Sequence, residues 1–252
     1  MKCIGIIPAR YASSRFPGKP LAMLGGKPLI CRVYERVASL LDEVIVATDD
    51  ERIKDCVERN GGRALMTSVG LSSGTERVAE ACRRFGERCD VVFNIQGDEP
   101  FIRPEQIEAV RRLFDNADTQ IGTAVRPFEA SDGTAALTNA NTPKVVLNKR
   151  NEAMYFSRSV IPFVRGKRAE DWLASHTFYK HIGLYAYRPE VLQELVRLPA
   201  SPLETAECLE QLRWLWNGYK IRVAVIDADT IGIDTPEDLA RAESFLKQNP
   251  NY

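Results

Sequence analysis

The sequence lacks several features by which common classes of protein are recognised. It has no excess of either charge, because Lys+Arg and Asp+Glu both number 34 and the formal net charge is zero. A protein that binds nucleic acid or membrane surfaces in general carries a basic excess. No window comes close to the roughly 20 apolar residues that a membrane-spanning helix needs. We therefore expect a soluble, cytoplasmic protein that binds no nucleic acid and does not insert into membranes.

Common metal and nucleotide signatures are missing too. There are only two histidines, and the six cysteines occur without a CxxC pair or any zinc-ligand spacing, so a structural zinc site is not expected. The cysteines are expected to be reduced thiols. Neither the dinucleotide fingerprint GxGxxG nor a phosphate loop of the type GxxxxGKS or GxxxxGKT occurs in the chain. Any bound phosphate must therefore be held by side chains rather than by a glycine-rich cradle.

What the sequence does contain is an alternation of apolar strands and amphipathic helices. The segments CIGIIPA, EVIVATDD, DVVFNIQGD and IGTAVRPF are typical of strands, and apolar residues recur at helical spacing between them, as from Pro28 to Leu41. Such alternation predicts βαβ units. The predicted fold class is α/β, with a Rossmann-like, mostly parallel sheet.

The pattern changes in the second half of the chain. Residues 130–187 are turn-rich and contain the strand-like segments KVVLN, EAMYFSR and HIGLYAYR, which predict a smaller β-rich insertion or flap. SPLETAECLEQLRWLWNGY then predicts a helix, KIRVAVI a strand, and TPEDLARAESFL a helix capped by Thr235. We predict one structural domain in three stretches: an α/β part over residues 1–129, the insertion over 130–187, and a return to the α/β part over 188–252.

The first candidate site is the loop PARYASSRFPGKPL after the first predicted strand. It carries Arg10, Arg15 and Lys19, and no acid occurs between Met1 and Glu35. Guanidinium groups bind phosphate bidentately, so the three cations could hold a triphosphate and stabilise a pyrophosphate leaving group. A single residue of this kind would fit a solvated basic loop, but three in one loop favour an anion site.

Two acids follow other predicted strands. Asp98, with Glu99 beside it, lies at a predicted strand end in the segment NIQGDEPFI, and Asp234 precedes a helix in IGIDTPEDL. Carboxylates together with substrate phosphates are the usual ligands of Mg²⁺, so Asp98 and Asp234 could form a two-carboxylate site if the fold brings them together. Gln96 offers an amide that could contact a base or a sugar. Turn and cap positions explain the same acids equally well.

The segment SSGTERVAE is typical of the start of a helix, where backbone N–H groups are free to bind an anion. Ser73 and Gly74 fit simple capping as well. Arg77 is the unusual residue, because a cation in the first turn opposes the helix dipole. An anionic ligand would account for it, although chance placement fits equally.

Two later segments carry polar side chains with regular spacing. HIGLYAYR places His181, Tyr185 and Tyr187 on one strand face, where a lone histidine also fits an ordinary core position. On the predicted helix SPLETAECLEQLRWLW, the polar residues are Glu204, Glu207, Glu210 and Gln211. The apolar side of this helix is predicted to consist of Leu209, Leu212, Leu215 and Trp216. The acids fit a solvated face equally well.

The chain resembles the CMP-Kdo synthetases in a series of segments that occur in the same order: PARYASSRFPGKPL, SSGTER, NIQGDEP, KVV…YFSRSVIPF, KHIGLYAYR, SPLE…EQLRWLWNGYKI and GIDTPEDL. These enzymes are 3-deoxy-manno-octulosonate (Kdo) cytidylyltransferases of the nucleotide-diphospho-sugar transferase fold. The resemblance extends from about Ile4 to Leu246. The loop with two arginines and a lysine is shared with other CMP-sugar synthetases.

The resemblance implies a Mg²⁺-dependent nucleotidyltransferase that converts CTP and Kdo into CMP-Kdo and pyrophosphate for lipopolysaccharide biosynthesis in a Gram-negative cell. It also implies a homodimer formed through the β-rich part, which contains YFSRSVIPF. The implied nucleotide-binding residues are Ala9, Arg10, Arg15, Lys19, Ser73, Gly74, Arg77 and Gln96. The implied sugar-binding residues are Arg158, His181, Tyr185, Glu210 and Gln211. Asp98 and Asp234 would hold the metal, and together with Arg10 and Lys19 they form the implied catalytic set.

Two alternatives stay open at the level of sequence. One is a cytidylyltransferase for a related acidic sugar, such as 8-amino-Kdo or a sialic acid, because the first loop does not distinguish these substrates. The other is a non-catalytic nucleotide-sugar sensor. Such a sensor is expected to have lost a metal carboxylate or a phosphate cation, whereas Arg10, Arg15, Lys19, Asp98 and Asp234 are all present.

Overall fold

The computed structural model describes residues 1–12, 16–227 and 232–249. The strands are β1 (Cys3–Ala9), β2 (Met23–Leu24), β3 (Lys27–Pro28), β4 (Glu43–Thr48), β5 (Ala64–Met66), β6 (Val91–Asn94), β7 (Ile121–Pro127), β8 (Lys144–Leu147), β9 (Ala153–Ser157), β10 (Tyr179–Tyr187) and β11 (Ile221–Val225). The helices are α1 (Leu29–Ala38), α2 (Glu51–Arg59), α3 (Gly74–Phe85), α4 (Pro104–Arg112), α5 (Gly133–Thr138), α6 (Trp172–Ser175), α7 (Pro189–Leu195), α8 (Pro202–Glu207), α9 (Gln211–Trp216) and α10 (Pro236–Gln248). A short 3-10 helix spans Lys19–Leu21.

The chain forms two compact units. The first comprises residues 1–104, 187–196 and 230–252, and the second comprises 105–186 and 197–229. In the second unit β7 pairs in parallel with β11 from Ile121 to Val125. The expected division of the chain at residues 129 and 187 stays a prediction.

The first unit is built on a parallel sheet. Its strands lie in the order β6-β1-β4-β5, and each neighbouring pair is parallel. The predicted strand CIGIIPA is confirmed as β1, and Ile4, Ile6 and Ile7 are fully buried because helices cover a parallel sheet on both faces. All of these strands therefore end at the same edge of the sheet.

Capping side chains fix where three helices of this unit, α2, α3 and α10, begin. Asp50 accepts a hydrogen bond from the backbone N–H of Arg52 at the start of α2, and Ser73 accepts one from that of Glu76 at the start of α3. Thr235 caps α10 and forms a capping box with Asp238, as the sequence TPED predicts. These caps set the helix starts directly after the loops that leave the sheet.

The second unit combines parallel and antiparallel pairs. In it β7 lies between β11 and β10, while β8 pairs antiparallel with both β9 and β10. The antiparallel strands come from the stretch that was expected to be β-rich. A small apolar cluster of Phe128, Leu137 and Phe178 packs beside them.

One predicted element is wrong. The segment from Ser201 to Tyr219 is not a single helix but two short ones, α8 and α9, separated at Cys208, which has a positive φ of 50°. Arg158 explains the interruption, because its side chain donates hydrogen bonds to the carbonyl oxygens of Glu207 (2.6 Å) and Cys208 (3.2 Å). Those carbonyls are therefore not available to continue the helix.

The interruption also changes which tryptophan is buried. Trp214 is 2% exposed, whereas Trp216, which was placed on the apolar side, is 59% exposed. The predicted apolar positions Leu209 and Leu212 are buried as expected. A helix that restarts after Cys208 has a new phase, so a pattern continued from α8 assigns the wrong face.

The predicted fold class is confirmed as α/β with a mostly parallel central sheet, and β2 and β3 form a separate small antiparallel sheet. The six cysteines all lie in the described part of the chain and form no disulfide there, in keeping with the expected reduced thiols. Within the described part of the chain, every helix is too short or too polar to cross a bilayer.

Candidate active site

A cleft of about 290 Å³ opens in the first unit where its strands end. This is the edge at which open parallel sheets bind their ligands. The predicted site residues that line the cleft are Ala9, Arg10, Lys19, Ser73, Gly74, Arg77, Gln96, Asp98 and Asp234. Arg15, which was also predicted to bind the nucleotide, lies outside the described residues. Pro20 and Ser72 line the cleft as well and were not singled out from the sequence, and Leu71 lines it next to Ser72.

Lys19 joins the two predicted metal ligands. Its ammonium nitrogen lies 2.6 Å from Asp98 Oδ2 and 3.2 Å from Asp234 Oδ1, although the three residues are far apart in the sequence. The Asp98 side chain is 27% exposed and the Asp234 side chain 49%, so Asp98 is the deeper of the two. The structure thus brings together two acids whose proximity the sequence left open.

The backbone around the two acids is held as firmly as their side chains. The N–H of Ile233 donates to the carbonyl oxygen of Asp98 at 2.9 Å, which ties the two chain segments together. Asp238 then accepts hydrogen bonds from the backbone N–H groups of Asp234 (3.0 Å) and Thr235 (2.9 Å). These bonds lower the pKa of Asp238, against the opposing effect of burial. Asp238 therefore orients Asp234. Asp238 lies three residues after Thr235, which is the usual position of a capping-box partner.

The donor set at this place fits a hard divalent cation. Within the described residues, no group of three or more His, Cys, Asp or Glu side chains is arranged to hold a metal. Mg²⁺ does not need such a group, because it is commonly bound by one or two carboxylates together with substrate phosphates and water. Asp98 and Asp234 supply two oxygen ligands beside cations that suit those phosphates.

Arg10 is the exposed cation of the cleft. It directly follows β1, and no described residue forms an ion pair with its guanidinium. A positive group that has no ion-pair partner among the described residues, in a cleft that also contains Lys19, attracts an anionic ligand. This is the electrostatic feature that the acid-free N-terminal segment predicted.

Ser73 and Gly74 form the start of α3. The Ser73 hydroxyl accepts from Glu76 N–H at 3.2 Å, so the capping interpretation is confirmed. A β-carbon on Gly74 would lie 3.4 Å from the ring of Pro8, which leaves ordinary contact room. The backbone at this point lines the cleft, and the first-turn N–H groups of α3 are the usual donors to a bound anion.

Arg77 has a protein anion as its partner. Its guanidinium donates to Asp49 Oδ2 at 2.7 Å and to the Thr67 hydroxyl at 2.5 Å, and its side chain is almost fully buried. A ligand is thus not required to explain a cation in the first turn of α3, because Asp49 supplies the negative charge. Asp49 and Thr67 were not predicted, since no local pattern links them to Arg77.

Gln96 and Gly97 border the cleft beyond β6. The Gln96 amide nitrogen lies 3.4 Å from Asn94 Oδ1, a weak hydrogen bond that leaves the amide adaptable. A β-carbon on Gly97 would meet the carbonyl oxygen of Pro8 at 3.2 Å. The lack of a side chain at Gly97 therefore leaves room for the close approach of the β1 backbone.

In the second unit, His181 and Tyr185 belong to an aromatic row. The His181 ring lies 5.1 Å from that of Phe156 and 5.3 Å from that of Tyr185, and Tyr185 in turn lies 5.2 Å from Trp214. We call these four residues the β10 aromatic cluster. Trp214 was missed in the sequence because the helix phase was wrong.

Burial lowers the pKa of His181 to about 3. The imidazole is therefore neutral at physiological pH, and its Nε2 lies 3.3 Å from the Thr123 hydroxyl. A neutral imidazole can donate one hydrogen bond and accept another. It does not supply a positive charge for a carboxylate ligand.

The remaining predicted sugar residues surround the end of α8. Arg158 donates to three backbone carbonyls, those of Ala140, Glu207 and Cys208. The Glu207 carboxylate accepts from the Ser157 hydroxyl at 2.6 Å and from Arg158 N–H at 2.9 Å. Arg158 therefore has a clear structural task, with two of its five N–H donors left over.

Glu210 and Gln211 stand at the start of α9. Glu210 is partly exposed and Gln211 is buried. Their neighbour Arg213 pairs with Glu204, at 2.6 Å from Oε1, so Glu204 is engaged within the protein. The solvated-face interpretation therefore does not hold for Glu204 or Glu207.

Comparison with known proteins identifies the class first. A family model described as cytidylyltransferase matches residues 4–221, which is most of the chain. The chain is thus a nucleotidyltransferase of the cytidylyltransferase class.

Individual relatives narrow the class. The chain is 63% identical over 247 residues to the 3-deoxy-manno-octulosonate cytidylyltransferase of Bacteroides thetaiotaomicron, covering 98% of this chain and 99% of the relative. It is 62% identical to the enzyme of the same name from Parabacteroides distasonis, covering 98% of each. A solved structure of CMP:2-keto-3-deoxy-manno-octonic acid synthetase complexed with CTP matches with a TM-score of 0.89 at 40% identity, over 98% of this chain and 99% of that one. The chain belongs to the 3-deoxy-manno-octulosonate cytidylyltransferase family.

Proposed function

We propose that this protein transfers CMP from CTP to Kdo, giving CMP-Kdo and pyrophosphate. The observation that carries the proposal is the meeting of Arg10, Lys19, Asp98 and Asp234 in one cleft. The family supports it, because relatives at 62–63% identity are cytidylyltransferases for this sugar acid and a solved relative is complexed with CTP.

The cleft is the proposed nucleotide site. Arg10 and Lys19, with Arg15 as a further predicted member, bind the phosphates of CTP, while Ala9 and Gln96 contact the base and ribose. The start of α3, with Ser73 and Gly74, faces the phosphates with backbone N–H groups. Arg77 supports the wall of the site through Asp49 and Thr67.

Asp98 and Asp234 are the proposed Mg²⁺ ligands. The ion, when bound, neutralises phosphate charge and polarises the phosphorus centre as a Lewis acid. The two acids need no further protein ligand, since phosphate oxygens and water complete the coordination of Mg²⁺. Asp238 and the Ile233–Asp98 backbone bond keep both carboxylates in place.

The second unit supplies the proposed sugar site. Its members are Arg158, His181, Tyr185, Glu210 and Gln211. His181 contributes as a neutral hydrogen-bonding group, consistent with its lowered pKa. The buried rings of Phe156, Tyr185 and Trp214 pack around His181 and hold it in place, while the carboxylate of Glu210 and the amide of Gln211 can bond the sugar hydroxyls.

The reaction is an in-line displacement. The anomeric hydroxyl oxygen of Kdo forms a bond to the α-phosphorus, the bond from that phosphorus to the β-phosphate bridge oxygen breaks, and the hydroxyl proton passes to water. The chain's residues hold the two substrates in line and neutralise the charge that develops on pyrophosphate, which is most of what phosphoryl transfer requires. Arg10 and Lys19 perform the second task. A covalent nucleophile is not needed.

The cellular setting is part of the proposal. A CTP-dependent enzyme that supplies lipopolysaccharide biosynthesis acts in the cytoplasm, where nucleoside triphosphates are made. A homodimer through the segment YFSRSVIPF is supported by Met154 and Phe163, which expose large apolar side chains in or beside that segment. Light scattering coupled to size-exclusion chromatography tests the dimer.

Pyrophosphate release is the decisive assay. We expect it with CTP and Kdo together, and not with ATP, GTP or UTP, or with CTP alone. A panel containing 8-amino-Kdo and a sialic acid separates the related sugars, and a higher kcat/KM for either would replace Kdo as the substrate. Tight CTP binding without turnover on any sugar of the panel would identify a sensor and contradict the proposal.

A further inference from the structure

The two described ends of the first loop are joined by a backbone hydrogen bond. Residues 10–12 leave β1 and residues 16–19 lead into the 3-10 helix, and the N–H of Gly18 donates to the carbonyl oxygen of Tyr11 at 3.0 Å. Arg10 and Lys19 are the sequence neighbours of these two residues. Whatever fixes Tyr11 against Gly18 therefore fixes both cations at the cleft.

Gly18 allows this contact in two ways. Its φ of 71° lies in the left-handed region, which favours glycine. A β-carbon at this position would also lie 3.2 Å from three atoms of the Tyr11 side chain. The ring of Tyr11 thus packs directly against the backbone of the residue that precedes Lys19.

Arg52, in the first turn of α2, holds the same ring. Its guanidinium carbon lies 3.4 Å from the centroid of the Tyr11 ring, which is a close cation–π contact. Asp50 fixes the plane of the guanidinium, because its oxygens accept from Arg52 Nε at 2.9 Å and from Nη2 at 2.6 Å. The hydrogen bonds from Arg52 lower the pKa of Asp50.

We propose that Arg52, through its stack on Tyr11, is a positioning residue for the phosphate-binding cations of the cleft. The stack connects α2 to the Tyr11–Gly18 contact and so keeps Arg10 and Lys19 in their binding arrangement before the nucleotide binds. The inference rests on the proposed function, because it takes the phosphates of CTP to be the ligand of Arg10 and Lys19.

Its effect is positional rather than electrostatic. Arg52→Ala and Arg59→Ala each remove one positive charge from an ion pair with an aspartate, so a comparison of the two variants separates loss of the stack from loss of charge. Without the stack, the binding-competent arrangement is a smaller fraction of the free protein, and the apparent affinity falls by that fraction. Once CTP is bound, its phosphates hold the cations, so kcat at saturating CTP stays the same.

The first test is steady-state kinetics of Arg52→Ala. We expect the KM for CTP to rise about threefold to fivefold, in keeping with an exposed cation–π contact, while kcat and the KM for Kdo are unchanged. Arg59→Ala is the matched control, because Arg59 lies on the same helix in an exposed pair with Asp55 at 3.5 Å and has no aromatic partner in the described residues. Equal KM values for the two variants would overturn the inference.

Variants of the ring provide the second test. Tyr11→Phe keeps the stack and should behave as the unmodified protein, whereas Tyr11→Leu should raise the KM for CTP about as much as Arg52→Ala or more. The double variant with Leu and Ala should be no worse than Tyr11→Leu alone, because both changes break one contact. Strictly additive effects would overturn the shared role of the two residues.

A binding measurement separates failure of this inference from failure of the proposed function. Calorimetric titration with inorganic triphosphate requires no sugar and no turnover. If the unmodified protein shows no CTP- and Kdo-dependent pyrophosphate release, the proposed function fails. Weaker triphosphate binding by Arg52→Ala than by Arg59→Ala would still support the positioning role. If the unmodified enzyme is active and triphosphate binds both variants equally, only the positioning role is overturned.

Discussion

The cleft of the first unit and the β10 aromatic cluster of the second unit are stabilised by opposite physical means. The cleft assembles charged side chains on loops at strand ends, and two of its carboxylates share one ammonium group. The cluster instead packs rings around a histidine whose charge burial has removed at physiological pH. Substitutions in the cleft should therefore change kinetics with little effect on stability, whereas substitutions in the cluster should also change stability.

The largest effect is expected for Asp98→Asn. Loss of a carboxylate that is proposed to bind Mg²⁺ should remove several kcal/mol of charge stabilisation, so kcat should fall about a thousandfold with a milder loss of CTP binding. The measurement is pyrophosphate release at saturating Mg²⁺. Asp55→Asn on α2 is the control, and its kcat should not change. Near-normal turnover of Asp98→Asn would contradict the metal assignment.

Lys19→Met should follow closely. Its ammonium group balances Asp98 and Asp234 and is proposed to stabilise the leaving pyrophosphate, so we expect kcat to fall about a hundredfold to a thousandfold. Lys54→Met removes a lysine that pairs only loosely with Glu51, at 3.4 Å, and serves as the control. If both lysine variants retain full activity, the cleft does not act through Lys19.

Arg10→Ala tests the cation without a partner among the described residues. Charge-assisted contacts to phosphate predict a rise in the KM for CTP of about tenfold to a hundredfold, with the midpoint of thermal unfolding unchanged. The difference in the KM for CTP between the unmodified protein and Arg10→Ala should shrink as salt is added, because salt screens exposed charges. A lowered unfolding midpoint with unchanged KM would reverse the proposed contrast between the cleft and the cluster.

The smallest effect concerns the pH dependence of stability. His181 has a pKa of about 3 when folded against 6.5 as an ordinary histidine, so the unfolded chain binds a proton that the folded one excludes. The free energy of unfolding should therefore fall as pH drops below about 6.5, by about 2 kcal/mol at pH 5. Urea unfolding above pH 6.5 and at pH 5 measures this loss of stability, and the loss should be smaller in His181→Gln. The exposed His176 gives the control, because His176→Gln should show the full loss.

Local patterns in the sequence were sufficient for the frame and for much of the cleft. The strand β1 and the capped start of α10 were predicted to the residue, because burial and capping leave signals within a few positions. Arg10, Lys19, Asp98 and Asp234 were singled out because each follows a strand or precedes a helix. Parallel strands bring such positions to one edge, and the structure places these four in one cleft.

Contacts between distant segments could not be predicted. The break at Cys208 depends on Arg158, about 50 residues earlier, which binds the carbonyls at the end of α8. The partner of Arg77 is Asp49, which no spacing rule connects to it. The Tyr11–Arg52 stack is likewise invisible in the sequence, because each residue looks like an ordinary exposed one.

The backbone bond from Ile233 to Asp98 has a consequence for biosynthesis. A nascent polypeptide that has left the ribosome only as far as β11 already contains Asp98. It still lacks Ile233, which bonds to the backbone of Asp98, and Asp234. We therefore expect a product that ends before Asp234 to release no pyrophosphate from CTP, because the proposed metal site then lacks one of its two carboxylates.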